Sequence, residues 1–435
     1  MNFAGLKKHF NPAYLPAVPV LFALFIAMVF WIITPNIFQS PEDADYQLVF
    51  LPVAHNINNG EGITINKKPV LEYPPGYPIL LSIILFPAKT TPIHEELLLR
   101  IWIAGLFAFG SFLIFKIARM LWDPFRALIA SLIWSCYPLN LWTIKWPSTE
   151  LPFAVIFYAA IFLFLKGWNS SKYSRCLFLV GGFAIGLSML VRPIAIGAGV
   201  VVALLVMLGR RHAFRRRLVF GACLIAGNLF AVLPWESWAF SQTHQILPLC
   251  RSRAFFSLYD GLTFAVSNSD GFRKGVKVPD DVKDLMNKIV TRYGNDHHSG
   301  DIKGFLYVQA KARPLTFLKL AAIKLVRSWY GTNSNRNEKA LSIMQTLFVL
   351  LLLLSITQLW RKRPETRYIV VAGTVLVCYF WGMTISVLSI VRYMTPMVAA
   401  MVIFFPAISL FQFSSRHKET PNLSPHGYPR SESSS

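Results

Sequence analysis

The residues whose types and spacing could do chemistry fall in two acidic stretches and at two isolated arginines. Glu42-Asp43-Ala44-Asp45-Tyr46 is a short acidic run, and Leu71-Glu72-Tyr73-Pro74-Pro75-Gly76-Tyr77-Pro78 sets a further carboxylate beside a rigid turn. A carboxylate at a membrane surface can take a proton from a hydroxyl group, since partial burial raises its pKa towards the working pH. Pro74 and Pro75 fix the backbone just after Glu72, and Gly76 permits close approach of chain or ligand. The competing reading is a solvated loop with ordinary surface acids.

Arg192, in Leu190-Val191-Arg192-Pro193, interrupts apolar sequence, and Arg392, in Val391-Arg392-Tyr393-Met394-Thr395-Pro396, does the same. An arginine in such a place needs the interface or a partner. Its planar guanidinium matches phosphate oxygens in a two-bond fork, so a lipid phosphate is a natural ligand, whereas the plainer reading is snorkelling to headgroups. Glu150 follows Trp146-Pro147-Ser148-Thr149 at the start of an apolar run. There the structural reading is a first-turn acid favoured by the helix dipole, with Ser148 or Thr149 as cap. His55, His244, His297 and His298 offer less: Asp296-His297-His298 lacks a third or fourth ligand at helical spacing, and a solvated polar loop explains it better.

These groups must be positioned by a membrane bundle. The chain of 435 residues is 54% hydrophobic, 14% aromatic and only 15% charged. Apolar runs near 16–34, 97–121, 126–142, 151–167, 175–191, 194–208, 218–238, 344–360, 367–388 and 394–413 are each of the order needed to cross a hydrocarbon core of roughly 30 Å. Such spans must be helical, because lipid leaves backbone polar groups no other partner. The expected fold is therefore all-α, a polytopic bundle of about ten spans, with interfacial helices at 46–58 and 77–88 in the first loop. Lys7, Lys8 and His9 precede the first run, which is long and lacks a small-residue cleavage site, so an uncleaved first span is expected.

The net charge of +22 sits in clusters at the ends of apolar runs. That is the positive-inside pattern and a fit to anionic lipid rather than to nucleic acid. Every even-numbered run exits into a basic stretch, among them Arg210 to Arg217 and Arg361 to Arg363, which puts 35–96, 143–150, 239–343 and 389–393 together on the opposite, outer face. The expected organisation is a transmembrane module over 1–238, an outer segment over 239–343, C-terminal spans over 344–413 and a disordered cytoplasmic tail over 414–435. The five cysteines form no CxxC pair and no zinc spacing, and four lie in or beside apolar runs. No Walker loop, GxGxxG, HExxH or GxSxG occurs, leaving nucleotide-driven pumping and metalloprotease chemistry without support.

In order and placement these motifs resemble the GT-C glycosyltransferases, in particular the bacterial branch related to protein mannosyltransferases and the lipid A aminoarabinose transferase. The elements that carry the resemblance are Asp43/Asp45, Asn59-Gly60-Glu61-Gly62, Glu72-Tyr73-Pro74-Pro75-Gly76-Tyr77-Pro78, Ser148-Thr149-Glu150, Leu190-Val191-Arg192-Pro193, Leu233-Pro234-Trp235 and Arg392-Tyr393-Met394-Thr395-Pro396. Pro234-Trp235-Glu236-Ser237-Trp238 departs from it, since relatives often carry an Arg-Asn pair there. The resemblance implies inverting transfer of one sugar from a polyprenyl-phosphate donor to an extracytoplasmic lipid, glycan or protein, in a bacterial inner membrane. It implies Asp45, Glu72 and Asp43 as the catalytic carboxylates, and Tyr46, Tyr73, Tyr77, Glu150, Arg192, Arg392 and Tyr393 as substrate-binding residues. Whether Asp43 or Asp45 is the functional acid stays open, and so does a divalent metal, which some relatives use. The partners implied are a lipid-linked sugar donor, membrane lipid and an outer-face acceptor. Two other classes remain: a transporter or flippase for lipid-linked sugars, and a polysaccharide polymerase or ligase. A transporter should carry its ionisable groups at mid-membrane depth in broken helices, whereas these cluster at one interface.

Overall fold

The structure, a computed structural model, describes residues 14–34, 45–250, 253–266, 276–294, 302–332 and 337–411. Asp43, His297, His298 and the tail over 414–435 lie outside the described residues. The first half of the chain runs through α1 (Ala17–Ile33), α2 (Leu51–Asn58), a hairpin of β1 (Thr64–Ile65) and β2 (Lys68–Pro69), α3 (Gly76–Thr90), α4 (Glu95–Ala118), α5 (Pro124–Cys136), α6 (Pro138–Thr143), α7 (Glu150–Asn169), α8 (Ser174–Val191), α9 (Ala198–Leu208) and α10 (Phe214–Thr243). The second half carries α11 (Arg253–Thr263), α12 (Asp280–Tyr293), α13 (Ile302–Ala312), α14 (Pro314–Arg327), α15 (Glu338–Lys362), α16 (Arg367–Ser386) and α17 (Val398–Val402).

Each of the ten apolar runs carries a helix, but not all are unbroken. Among the described residues, six stretches are long and apolar enough to cross a membrane: α4, α7, α8, α10, α15 and Pro364–Ser386. With them the chain is a multi-pass integral membrane protein. Proline and glycine account for the shorter ones. Pro138 splits the 126–142 run into α5 and α6. Pro193 and the left-handed Gly197 (φ 85°) reduce the 194–208 run to a 3-10 turn and the 11 residues of α9. Pro396 leaves the 394–413 run as 3-10 turns around α17.

Close backbone contact holds the centre of the bundle. Gly182 and Gly186 stand one turn apart on α8, and a Cβ on Gly182 would lie 2.0 Å from the Leu224 carbonyl oxygen of α10. Gly227 of α10 meets the Leu179 carbonyl oxygen at the same 2.0 Å. This is the small-xxx-small contact that lets membrane helices pack where apolar burial gives no drive. Phe178 and Phe220 stack at 4.7 Å beside it.

In the first loop, α2 packs on α3 through Phe50, Val53 and Ala54, all buried. Gly60 and Gly62 take positive φ (81° and 73°), which opens the turn into the hairpin. Helices α11 to α14 form a second core around Val282, Leu285, Met286 and Ile289. Helix α14 turns Leu320 into this core together with Thr316, Lys324 and Arg327, and exposes a second apolar stripe of Leu315, Leu318, Leu325 and Val326. An outward apolar stripe suits contact with hydrocarbon, not water.

Helix α12 is tied to α14 by carboxylates. Lys319 Nζ and Thr316 Oγ1 donate to Asp281 Oδ2 at 2.9 and 3.0 Å, and Arg313 and Lys288 flank Asp284. The bond from Lys319 holds the Asp281 carboxyl below its ordinary range, and the bond from Arg313 does the same for Asp284. A carboxylate with a lowered folded-state pKa contributes stability above the ordinary Asp pKa and loses it as pH falls through the lowered value. Protection of α12 amides against hydrogen exchange is therefore expected to weaken as the medium is acidified through that window, with α8 amides unaffected. Equal loss in both helices would contradict this.

Candidate functional site

Pro193 shapes the first part of the site. The residue before a proline is pushed from helical to extended backbone, so α8 stops at Val191 and Arg192 is extended (φ −144°, ψ 122°). Its side chain leaves the helix end and meets Glu150, the first residue of α7: Nη1 lies 2.7 Å from Oε1. Arg392, in the 3-10 turn Val391–Tyr393, reaches the same oxygen with Nε at 2.8 Å. Glu150 is 3% exposed and Arg192 8%. Glu150 does stand in the first turn of α7, but Thr149, its N-cap, makes no side-chain cap bond, and burial against two arginines goes beyond a surface first-turn acid. Tyr393 completes the cluster, its ring 4.9 Å from the Arg192 guanidinium and 5.9 Å from that of Arg392.

Two guanidiniums converge on one carboxylate oxygen, Arg192 through Nη1 and Arg392 through Nε. Such a cluster at the rim of a bundle can accept an anion with fork geometry, a phosphate above all.

The proline-rich turn docks directly against this cluster. A Cβ on Gly76 would stand 2.6 Å from the backbone carbon and oxygen of Leu190 and 2.8 Å from Val191 N. What Gly76 admits is therefore the chain itself, two residues before Arg192. Gly76→Ala must force the two backbones apart, at a cost of about 1–3 kcal/mol. The expected outcome is a lower melting temperature in detergent and faster proteolysis of the first loop. An unchanged melting temperature would remove this contact from the argument.

Beside the turn, Tyr73 Oη donates to Asp45 Oδ1 at 2.7 Å, and the Tyr73 ring packs edge-on to Phe50 at 5.0 Å. Asp45 is half-buried and precedes a π-helical turn, Tyr46–Phe50, in which Tyr46 is also half-buried. Glu72 is exposed, its Oε2 accepting from Leu71 N–H at 3.2 Å. Tyr77 is fully buried, edge-on to Phe50 at 5.1 Å, which is a packing position in the first loop. The structure thus brings Glu150, Arg192, Arg392 and Tyr393 into one cluster and Asp45 and Tyr73 into a second pair. The described residues gather no group of three or more His, Cys, Asp or Glu that could hold a metal.

A buried hub that the sequence reading did not single out supports the Arg392 turn. Arg327 Nη2 donates to Glu338 Oε1 at 2.8 Å and Nη1 to the Ser389 carbonyl at 3.2 Å, with the guanidinium 4.8 Å from the Phe264 ring. Val391 N–H donates to the Gly331 carbonyl at 2.9 Å. Pairing of Arg327 with Glu338 across eleven positions has no helical or strand spacing, so periodicity could not find it. The departure at 234–238 also has a local role: Trp235 Nε1 donates to the Leu249 carbonyl at 2.9 Å, and Glu236 Oε1 accepts from Leu249 N–H at 2.7 Å.

Residues 93–238 match the family model described as dolichyl-phosphate-mannose-protein mannosyltransferase, a stretch that holds Glu150 and Arg192. Among solved structures, the archaeal oligosaccharyltransferase AglB from Archaeoglobus fulgidus, in complex with an inhibitory peptide and a dolichol-phosphate, superposes with a TM-score of 0.54 at 13% identity, covering 93% of this chain and 51% of that one. The same enzyme tethered to an acceptor peptide gives 0.55 at 13% identity, with 93% and 50% covered. ArnT from Cupriavidus metallidurans bound to undecaprenyl phosphate gives 0.44 at 13% identity, with 89% and 77% covered. No curated protein sequence matches the chain. The chain has the fold of the GT-C membrane glycosyltransferases. It spans about half the length of the archaeal enzyme.

Proposed function

We propose that this protein is a membrane glycosyltransferase that moves one sugar from a polyprenyl-phosphate donor to an acceptor hydroxyl or amide at the face of the first loop, with inversion. The observation that carries the reading is the buried Glu150 shared by Arg192 and Arg392, a two-arginine cluster beside the proline-rich turn. In the reaction, the acceptor attacks the anomeric carbon as the bond from that carbon to the phosphate oxygen breaks. The departing polyprenyl phosphate gains charge, which Arg192 and Arg392 meet. Asp45, oriented by Tyr73, takes the acceptor proton, and Asp43, two residues before it, and Glu72, next to Tyr73, are further carboxylates on the loop. Glu150 keeps both guanidiniums in place, and Tyr46 and Tyr393 flank the site.

The test is incubation of purified protein with labelled polyprenyl-phosphate sugars and a panel of lipid, glycan and peptide acceptors. Acceptor-dependent release of polyprenyl phosphate is expected. Donor binding with no release across the panel would replace the enzyme with a transporter of lipid-linked sugars.

A further inference from the structure

A second feature lies at the opposite end of the bundle. A cavity of about 390 Å³ is enclosed by α4, α7, α8, α9, α16 and α17, within the size range of small-molecule sites. Its wall is almost wholly apolar, from Phe157 and Phe178 to Phe404. With a rise of 1.5 Å per residue, Phe157 sits about 10 Å along α7 from Glu150, and the cavity continues from there to Asn169 at the other end of the helix. It is thus separate in depth from the cluster at Glu150.

Polar groups gather only where the cavity reaches the basic loops: Arg210, Arg211, Glu365 and Tyr368 stand there. Arg215, Arg216 and Arg217 follow in sequence. Arg211, Arg216 and Arg217 donate to neutral acceptors, namely the Asn169 side chain and the Ser171 and Met207 carbonyls. Glu365 is taken by Arg363 at 2.9 Å. The mouth therefore keeps an excess of positive charge. Trp168 and Tyr368 stack at 5.6 Å beside it, as aromatic residues do at headgroup level.

We infer that this cavity is a binding site for an anionic phospholipid of the leaflet at the basic loops. One acyl chain fills the apolar space, and the phosphate is held by Arg210 and Arg211. The charge at the mouth selects an anion, and the apolar lining, which runs along α7 from Phe157 to Asn169 or about 18 Å at 1.5 Å per residue, suits an extended chain.

Native mass spectrometry of the full-length protein in detergent tests this, with phosphatidylglycerol, phosphatidylcholine and polyprenyl phosphate as separate probes. Phosphatidylglycerol is expected to be retained roughly tenfold more tightly than phosphatidylcholine, the scale two arginines near a headgroup can supply. Arg210→Gln with Arg211→Gln, both exposed positions, should erase that preference. Ala372→Phe and Ala400→Phe, which line the cavity from α16 and α17, should each prevent retention of phosphatidylglycerol and leave polyprenyl phosphate bound. Equal retention of the two phospholipids by the wild type, or a preference that survives the arginine changes, would overturn the inference. If the phenylalanine variants shed polyprenyl phosphate instead, the cavity belongs to the isoprenoid carrier. Should both of those variants misfold, the arginine variant alone decides.

Discussion

Replacing Glu150 by alanine is expected to destabilise the protein by about 3–5 kcal/mol, the cost of stranding a buried charge whose partner has been removed. The size follows from geometry: Glu150 is 3% exposed, and two guanidiniums converge on its one oxygen. Glu150→Gln should lose less, because a polar amide oxygen still faces both guanidiniums although the charge is gone. Combining Glu150→Ala with Arg192→Met should recover part of the loss, since the double change removes a stranded cation along with its partner. Heat-induced loss of monodisperse protein in detergent reads these differences. An alanine variant as stable as wild type would mean that the cluster is solvated, and the anion site would lose its basis.

The second large effect concerns catalysis. Asp45→Asn is expected to reduce transfer by about a hundredfold or more with the fold intact, the scale of losing a general base. Tyr73→Phe removes only the orienting hydroxyl and should fall between wild type and Asp45→Asn. Glu72 is exposed and bonded to its own loop backbone, so Glu72→Gln is expected to lose less than about tenfold. The reverse order, with Glu72 the more costly loss, would transfer the proton-accepting role from Asp45 to Glu72.

Part of this was legible in the residues alone. Apolar run lengths and the basic stretches after alternate runs were enough to expect a polytopic bundle. Pro193 after Arg192 and Pro74-Pro75-Gly76 after Glu72 marked breaks where polar groups could leave helical geometry. Partner identity was not legible. Glu150, forty-two positions before Arg192 and far from Arg392, looks in sequence like any first-turn acid, and only three-dimensional closure of α7 against α8 makes it the shared ligand of both. Tyr77, which the resemblance implies as a substrate-binding residue, is turned by helix α3 into the core against Phe50, a placement that no pattern around Tyr73 announces. Helix α14 has amphipathic periodicity, yet periodicity gives no sign of which face meets water. Arg327 and Lys324 are buried beside Leu320, while Leu315, Leu318, Leu325 and Val326 face outward.

The central claim, that the arginine cluster and the first loop form one transfer site, is tested most directly by a single-turnover experiment with labelled polyprenyl-phosphate sugar and acceptor. Wild type should pass the label to the acceptor with inverted anomeric configuration and leave polyprenyl phosphate. Asp45→Asn should bind the same donor without turning it over, and Arg392→Gln should bind it more weakly. Turnover in both variants at the wild-type rate would contradict the account.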